Sequence, residues 1–229
     1  MKVVILAGGL GTRISEYTKK IPKPMVKINH EPILVHIMKH YHQYGFNDFI
    51  VALGYKGKII KDFFNKKKFP WKVTLVNTGL KTMTGGRLKR LAKYLEKETF
   101  MLTYGDGLSD VNIKKLLNFH NKSKKMITLT AVRPPARFGG LKIKGNYVNY
   151  FKEKSKLDEG WINGGFFIIE PKFLKLIKSD ETFLEREPLE EATKKKNLMA
   201  FKHKGFWQCM DTVRDKEKLE SILKEKKNV

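Results

Sequence analysis

Lys2-Val3-Val4-Ile5-Leu6-Ala7-Gly8-Gly9-Leu10-Gly11-Thr12-Arg13 opens on an unbroken apolar run and closes on a glycine-rich turn. A run of branched side chains without polar alternation is what a strand buried on both faces requires, as in a parallel sheet covered by helices. Glycines directly after such a strand free the backbone for a turn whose N–H groups can wrap a polyphosphate. Two familiar phosphate loops are excluded. The Gly-x-x-x-x-Gly-Lys-Ser/Thr pattern is absent, and Ile14 stands where a dinucleotide fingerprint needs its third glycine.

Working outward from this turn, apolar residues recur at helical spacing from Pro32 to Tyr44, Gly45 supplies a stop, and Phe49 to Leu53 is a second strand. Helix Lys58 to Phe64 then precedes strand Val73 to Val76, helix Leu88 to Leu95 precedes strand Phe100 to Tyr104, and helix Val111 to His120 precedes strand Ile127 to Val132. This alternation predicts a doubly wound, mostly parallel α/β sheet of Rossmann-like type. After Pro134-Pro135 the runs shorten (Leu141 to Ile143, Tyr147 to Phe151, Gly165 to Ile169), with a helix near Phe173 to Ile177, a strand near Leu198 to Phe201 and a final helix from about Asp215. The expectation is one domain over residues 1–229, with a core over 1–132 and a small β-rich extension plus C-terminal helix over 133–229.

The 229 residues suffice for one sizeable core, and a single cysteine, Cys209, excludes a disulfide framework. No apolar stretch approaches the length that spans a bilayer, so a soluble cytoplasmic protein with no membrane partner is expected. The net charge of +24 invites a nucleic-acid reading. Against it, the cations are 40 lysines and only 7 arginines, whereas base-edge recognition favours the guanidinium. Runs such as Lys66-Lys67-Lys68 and Lys194-Lys195-Lys196 read as solvated helix ends, and no nucleic-acid partner is expected.

The arginines concentrate elsewhere: Arg13, Arg87, Arg90, Arg137, Arg186 and Arg214 lie in or beside glycine-rich or acidic motifs. Beyond Arg13, Pro22-Lys23-Pro24 is expected to hold a lone lysine in a fixed extended segment, so Arg13 and Lys23 together could clamp a triphosphate. Asp106 ends a strand inside Gly105-Asp106-Gly107, at the carboxyl edge where open α/β sheets bind ligands. Asp211, far off in the sequence, is expected as its partner, and two carboxylates on one oxygen-rich site would suit Mg²⁺; a turn or cap residue is the plain alternative for Asp211. Asp110, before a helix, reads as an N-cap, and His36 and His40 read as residues of an amphipathic face.

Leu6 to Arg13 with Pro22-Lys23-Pro24 resembles the signature of the sugar-1-phosphate nucleotidyltransferases. The segments Thr82-Met83-Thr84-Gly85-Gly86-Arg87, Thr103-Tyr104-Gly105-Asp106-Gly107, Trp161-Ile162-Asn163-Gly164-Gly165, Glu185-Arg186-Glu187-Pro188 and Phe206-Trp207-Gln208-Cys209-Met210-Asp211-Thr212 are similar, in order, to the branch of that family that joins CTP to glucose 1-phosphate. The resemblance implies CTP and glucose 1-phosphate as partners, CDP-glucose and pyrophosphate as products, Mg²⁺ as cofactor and a homo-oligomer. It implies that the nucleotide contacts Leu6, Ala7, Gly8, Gly9, Leu10, Gly11, Thr12, Arg13, Lys23, Gly105 and Asp106, with Lys81, Thr84, Gly85 and Gly86 near the base. It implies that Lys154 holds the sugar phosphate, with Glu153, Asn163, Gly164, Glu185 and Arg186 near the sugar. A solvated Glu153-Lys154 pair and a helix N-terminal Glu185-Arg186 pair are the plain readings of the same residues. The same chemistry on UTP, dTTP or another sugar 1-phosphate is the near alternative, and a non-catalytic nucleic-acid binder the distant one.

Overall fold

The computed structural model describes residues 1–134, 140–152 and 160–225. Its strands are β1 (Val3–Ala7), β2 (Lys27–Ile28), β3 (Glu31–Pro32), β4 (Asp48–Leu53), β5 (Lys72–Asn77), β6 (Phe100–Tyr104), β7 (Gly107–Ser109), β8 (Ile127–Val132), β9 (Gly140–Lys144), β10 (Tyr147–Lys152), β11 (Ile162–Ile169), β12 (Leu198–Lys202) and β13 (Trp207–Cys209). The helices are α1 (Ser15–Thr18), α2 (Ile33–His42), α3 (Gly57–Lys66), α4 (Thr84–Arg90), α5 (Ala92–Leu95), α6 (Ile113–Ser123), α7 (Glu187–Lys194) and α8 (Val213–Glu225). Seven strands make one sheet in the order β12-β8-β11-β6-β1-β4-β5.

β1 pairs parallel with β4 and with β6, β4 with β5, and β12 with β8. The mostly parallel, doubly wound sheet expected from the sequence is present, and strands from both halves of the chain share it. β11 is the exception, running antiparallel to β6 and β8. The reason is local. Among the described residues the β9–β10 ribbon, and no helix, stands between β8 and β11, and without a crossover helix β11 pairs back antiparallel on β8.

Successive residues of β1 face opposite ways. Val3, Ile5 and Ala7 pack with Ile33, Ile37 and Tyr41 of α2, Leu116 of α6 and Leu219 of α8, while Val4 and Leu6 pack with Leu88, Leu91, Leu95, Leu184 and Leu189. Two apolar layers thus fix the sheet from both sides, and this explains why β1 carries no polar residue.

Three local expectations are corrected. The helix expected over Leu88 to Leu95 is divided into α4 and α5, and the one near Phe173 to Ile177 is a 3-10 turn over Pro171–Leu176. Asp110 does not cap α6: Asn112 does, its side chain accepting from the Lys115 N–H at 2.9 Å, while Asp110 sits 2.9 Å from His203 Nε2. Helix α7 begins at Glu187-Pro188 with proline in its first turn and Arg186 at its N-cap, in line with the plain reading of Glu185-Arg186 as a helix N-terminal pair.

Candidate active site

β1 to β4 to β5 step one way across the sheet, and β6 returns to the other side of β1. The strand order therefore reverses beside β1, where open α/β folds have their ligand crevice. A cleft of about 360 Å³ lies there, walled by the turn after β1, the Lys23-Pro24 turn, the end of β6 and the segment Thr82 to Thr84. Gly8, Gly9, Gly11, Thr12 and Arg13 line it, with Leu6 and Ala7 at its floor. Leu10 does not line it and is half exposed at the turn's tip.

The turn needs glycine at two places for different reasons. Gly11 has φ +66, the left-handed region, and its carbonyl accepts the Thr18 hydroxyl at 3.0 Å. Gly8 lies so close to a guanidinium that a Cβ there would meet Arg87 Nη1 at 2.1 Å. Arg87, on α4, is 4% exposed and has a path the sequence did not reveal. Its Nη1 donates to Thr78 Oγ1 at 2.8 Å and the Gly79 carbonyl at 2.7 Å, and its Nη2 donates to the Gly8 carbonyl at 3.0 Å. One side chain thus laces the ends of β1 and β5 beneath the cleft. Burial, then the neighbouring Arg90 charge, lowers its pKa below the usual arginine value.

Lys23 is 8% exposed and opens a 3-10 turn over Lys23–Met25, not the extended segment expected: of Pro22-Lys23-Pro24 only Pro22 is extended, and the Met25 N–H closes back on the Pro22 carbonyl at 2.8 Å. Its ammonium donates to Asp106 Oδ2 at 2.7 Å and Asp211 Oδ1 at 2.8 Å. Arg13 Nη1 donates to the other oxygen of Asp211 at 2.6 Å. Burial alone would lower the Lys23 pKa, but attraction to Asp106 and hydrogen bonds to both carboxylates outweigh it, and the net shift is upward. For Asp211 burial pushes up while the Lys23 hydrogen bond and charge, with Arg13, pull down, and the net shift is downward.

What brings Asp211 to Asp106 is a small antiparallel ribbon. β13 pairs with β7 in the register Cys209 to Gly107, and the Met210 N–H donates to the Asp106 carbonyl at 2.8 Å. Both acids then flank one cation. Among the described residues no group of three or more His, Cys, Asp or Glu is placed to hold a metal ion by itself, so these two carboxylates form a sparse, hard-oxygen pair. That donor set fits Mg²⁺, which keeps waters and substrate oxygens as its remaining ligands. Cys209, with Sγ 3.5 Å from Asp211, has its thiol pKa pushed up to about 12 by burial and the nearby carboxylates, so it is no nucleophile.

Opposite this cluster, Tyr104 ends β6 and was missed by the sequence reading, although it precedes Gly105-Asp106 directly. Its hydroxyl donates to Glu185, whose other oxygen accepts from Thr84 Oγ1 at 2.6 Å. Asn163 Nδ2 lies 3.5 Å from the Tyr104 hydroxyl. Burial first, then Glu185, raises the Tyr104 pKa, so the phenol stays protonated. Asn163 reaches this position through a bulge in β11, where Gly165 adopts φ +78 and a Cβ would strike the Tyr104 ring at 2.6 Å.

Other residues named from the sequence do not meet in the cleft. Gly85 and Gly86 are buried against a neighbouring segment, where a Cβ would meet the Thr182 carbonyl at 2.7 Å and the Asp180 carbonyl at 2.3 Å. They allow α4 to pack on that segment. Lys81 is exposed and Gly164 packs on Val132; neither lines the cleft. Arg186 stacks over Phe183 at 4.5 Å in an adjoining hollow. Glu153, Lys154 and Arg137 lie outside the described residues.

Comparisons with known proteins place the whole chain in one family and fold. The family described as nucleotidyl transferase matches residues 2–218. The chain is 49% identical to glucose-1-phosphate cytidylyltransferase of Salmonella typhimurium, over 97% of this chain and 95% of that one. It is 40% identical to a probable glucose-1-phosphate cytidylyltransferase of Bacillus subtilis, over 94% and 93%. Among solved structures, HddC from Yersinia pseudotuberculosis superposes with a TM-score of 0.78 at 29% identity, over 97% of this chain and 99% of that one. A UDP-glucose pyrophosphorylase complexed with UDP-glucose shares the fold, with a TM-score of 0.76 at 17% identity over 98% of each. Because the family match runs over residues 2–218 and these relatives align with nearly the whole chain, the chain belongs to the nucleotidyl transferase family.

Proposed function

We propose that the protein transfers a cytidylyl group from CTP to glucose 1-phosphate, giving CDP-glucose and pyrophosphate. The observation that carries this reading is the convergence of Arg13, Lys23, Asp106 and Asp211 at one end of a cleft in a chain 49% identical to a glucose-1-phosphate cytidylyltransferase. In the reaction a phosphate oxygen of the sugar phosphate bonds to the α-phosphorus of CTP. The bond from that phosphorus to the bridging oxygen breaks, and its electron pair leaves with pyrophosphate. No protein nucleophile is needed.

Both reactants are anions, so the barrier is charge repulsion and the negative charge that develops on the leaving group. Arg13 and Lys23 offset that charge at the β- and γ-phosphates, and the turn over Gly8 to Thr12 wraps them with backbone N–H groups. Asp106 and Asp211 are the residues that would hold Mg²⁺, which when bound neutralises phosphate charge and aligns the oxygens. Lys23 sits between the two acids in the free protein, and an incoming triphosphate offers its ammonium a competing set of acceptors. Thr84 and Met83 border the base end, Asn163 the sugar end, and Lys154 is assigned to the attacking phosphate. On this reading residues 1–132 bind the nucleotide and 133–229 complete the sugar side. The cytoplasmic location and homo-oligomeric state expected from the sequence belong to the same proposal; sedimentation of the purified chain reads the second.

A pyrophosphate-release assay across CTP, UTP, dTTP and GTP, each with glucose 1-phosphate and with mannose 1-phosphate, tests the assignment. CTP with glucose 1-phosphate is expected to have the highest kcat/KM. A higher value for another pair reassigns the substrates.

A further inference from the structure

We infer that Asp215, backed by Gln208, is a positioning residue that fixes the Asp211 carboxylate at the edge of the cleft, against Lys23 and Arg13. The inference rests on the reading of Asp211 as a metal-holding acid given above. α8 starts just after Thr212, and Thr212-Val213-Arg214-Asp215 makes a reciprocal capping box: Asp215 Oδ2 accepts from the Thr212 N–H and hydroxyl, both at 2.9 Å, and the Asp215 N–H donates back to Thr212 Oγ1 at 3.3 Å. A cap requires no more than this.

Here the carboxylate does more, because the same Oδ2 also takes the N–H of Asp211 itself at 3.2 Å. Its second oxygen, Oδ1, takes Gln208 Nε2 at 3.2 Å, and that amide also donates to the Cys209 carbonyl at 2.9 Å. The buried acid, 8% exposed, therefore grips the chain before Asp211, at Asp211 and after it. With that backbone held, the Asp211 side chain has one short path, outward to Lys23 and Arg13. A ligand whose backbone is free to shift loses that freedom on binding a cation, and this loss weakens the site. Gln208 is 3% exposed, and its Oε1 has no hydrogen-bond partner among the described residues. This orphan oxygen faces the cost of burial so that the amide nitrogen can serve Asp215.

The test is Mn²⁺ binding to the purified full chain with CTP present, read from the electron paramagnetic resonance signal of the free ion. Asp215→Ala is expected to weaken Mn²⁺ binding about tenfold or more, the usual size of such supporting contacts. Asp215→Asn keeps an acceptor toward residues 211 and 212 but turns a donor toward Gln208 Nε2, so its binding is expected to fall between those of wild type and Asp215→Ala. Should Asp215→Ala fail to fold, Gln208→Leu, which removes only the amide's support, is expected to weaken binding about threefold or more. Leu223→Ala, on the core side of the same helix, is expected to lower the melting temperature without moving the Mn²⁺ affinity. Wild-type affinity in Asp215→Ala, or in Gln208→Leu if that is the variant that folds, overturns the inference, as does equal weakening in Leu223→Ala. A wild-type chain that binds no Mn²⁺ with CTP present overturns the metal reading of Asp211 first, and this inference with it.

Discussion

Lys23 spends the resting state between two carboxylates, with its charge largely compensated by them. An ammonium so placed is poised rather than free: it keeps Asp106 and Asp211 together and can exchange them for phosphate oxygens. Lys23→Met is expected to retain the fold and to lose about 10²- to 10³-fold in kcat, the size seen when one donor to a developing charge is removed. Steady-state kinetics with circular dichroism checks both halves of that statement. Glu185 presents a different case. Proposed from the family resemblance as a sugar contact, it has both oxygens engaged by Tyr104 and Thr84. If it acts by positioning Tyr104 and Thr84, Glu185→Ala should lower kcat/KM for both substrates by about tenfold, and Glu185→Gln, which keeps an acceptor, much less. A rise in KM confined to glucose 1-phosphate would instead assign it to the sugar.

At the scale of elements, the site is made by turns that depend on distant partners. The turn after β1 rests on Arg87 from α4, so Gly8→Ala must displace that guanidinium and break its bonds to Gly8, Thr78 and Gly79. A loss of about 1–3 kcal/mol is expected, measured by urea unfolding, together with a raised KM for CTP. A Gly9→Ala variant, where a Cβ meets nothing, should unfold near wild type. The contrast between Gly8 and Gly85-Gly86 marks how far the sequence was legible. Lys23 and Asp106 could be named in advance because prolines, flanking glycines and a strand end restrict where such side chains can point, whereas Asp211 bears no such local mark: only the family resemblance pointed to it, and the β7–β13 pairing brings it to Asp106. Gly85 and Gly86 were assigned to the base because a glycine that lets a ligand approach and one that lets another backbone approach look alike in sequence. Tyr104 and Arg87 act through contacts made only in the folded chain. Strand β11 was found, but its antiparallel direction was not, since direction depends on which edge the chain returns from.

For the molecule as a whole, the parallel sheet, its two apolar layers and the crevice beside β1 follow from the first strand and the β-α alternation after it. The paired charges in that crevice also give stability a defined pH dependence. Asp211 titrates below its ordinary value of 3.8 in the folded chain, so its contribution is present above that pH and is lost as pH falls through the folded value. Lys23 titrates above its ordinary 10.5, so its contribution is present below that pH and is lost as pH rises through the folded value. Melting temperatures should accordingly decline at both ends of the scale, and Lys23→Met should flatten both limbs. The net charge of +24 acts over a longer range, drawing anionic substrates at a rate that falls with salt. The most direct test of the central claim is pyrophosphate release from CTP and glucose 1-phosphate with Mg²⁺, comparing wild type with Asp106→Ala and Asp211→Ala. The account predicts release by the wild-type chain and a loss of about 10²-fold or more in each variant. Release at wild-type rate by either variant, or none by the wild-type chain, would contradict it.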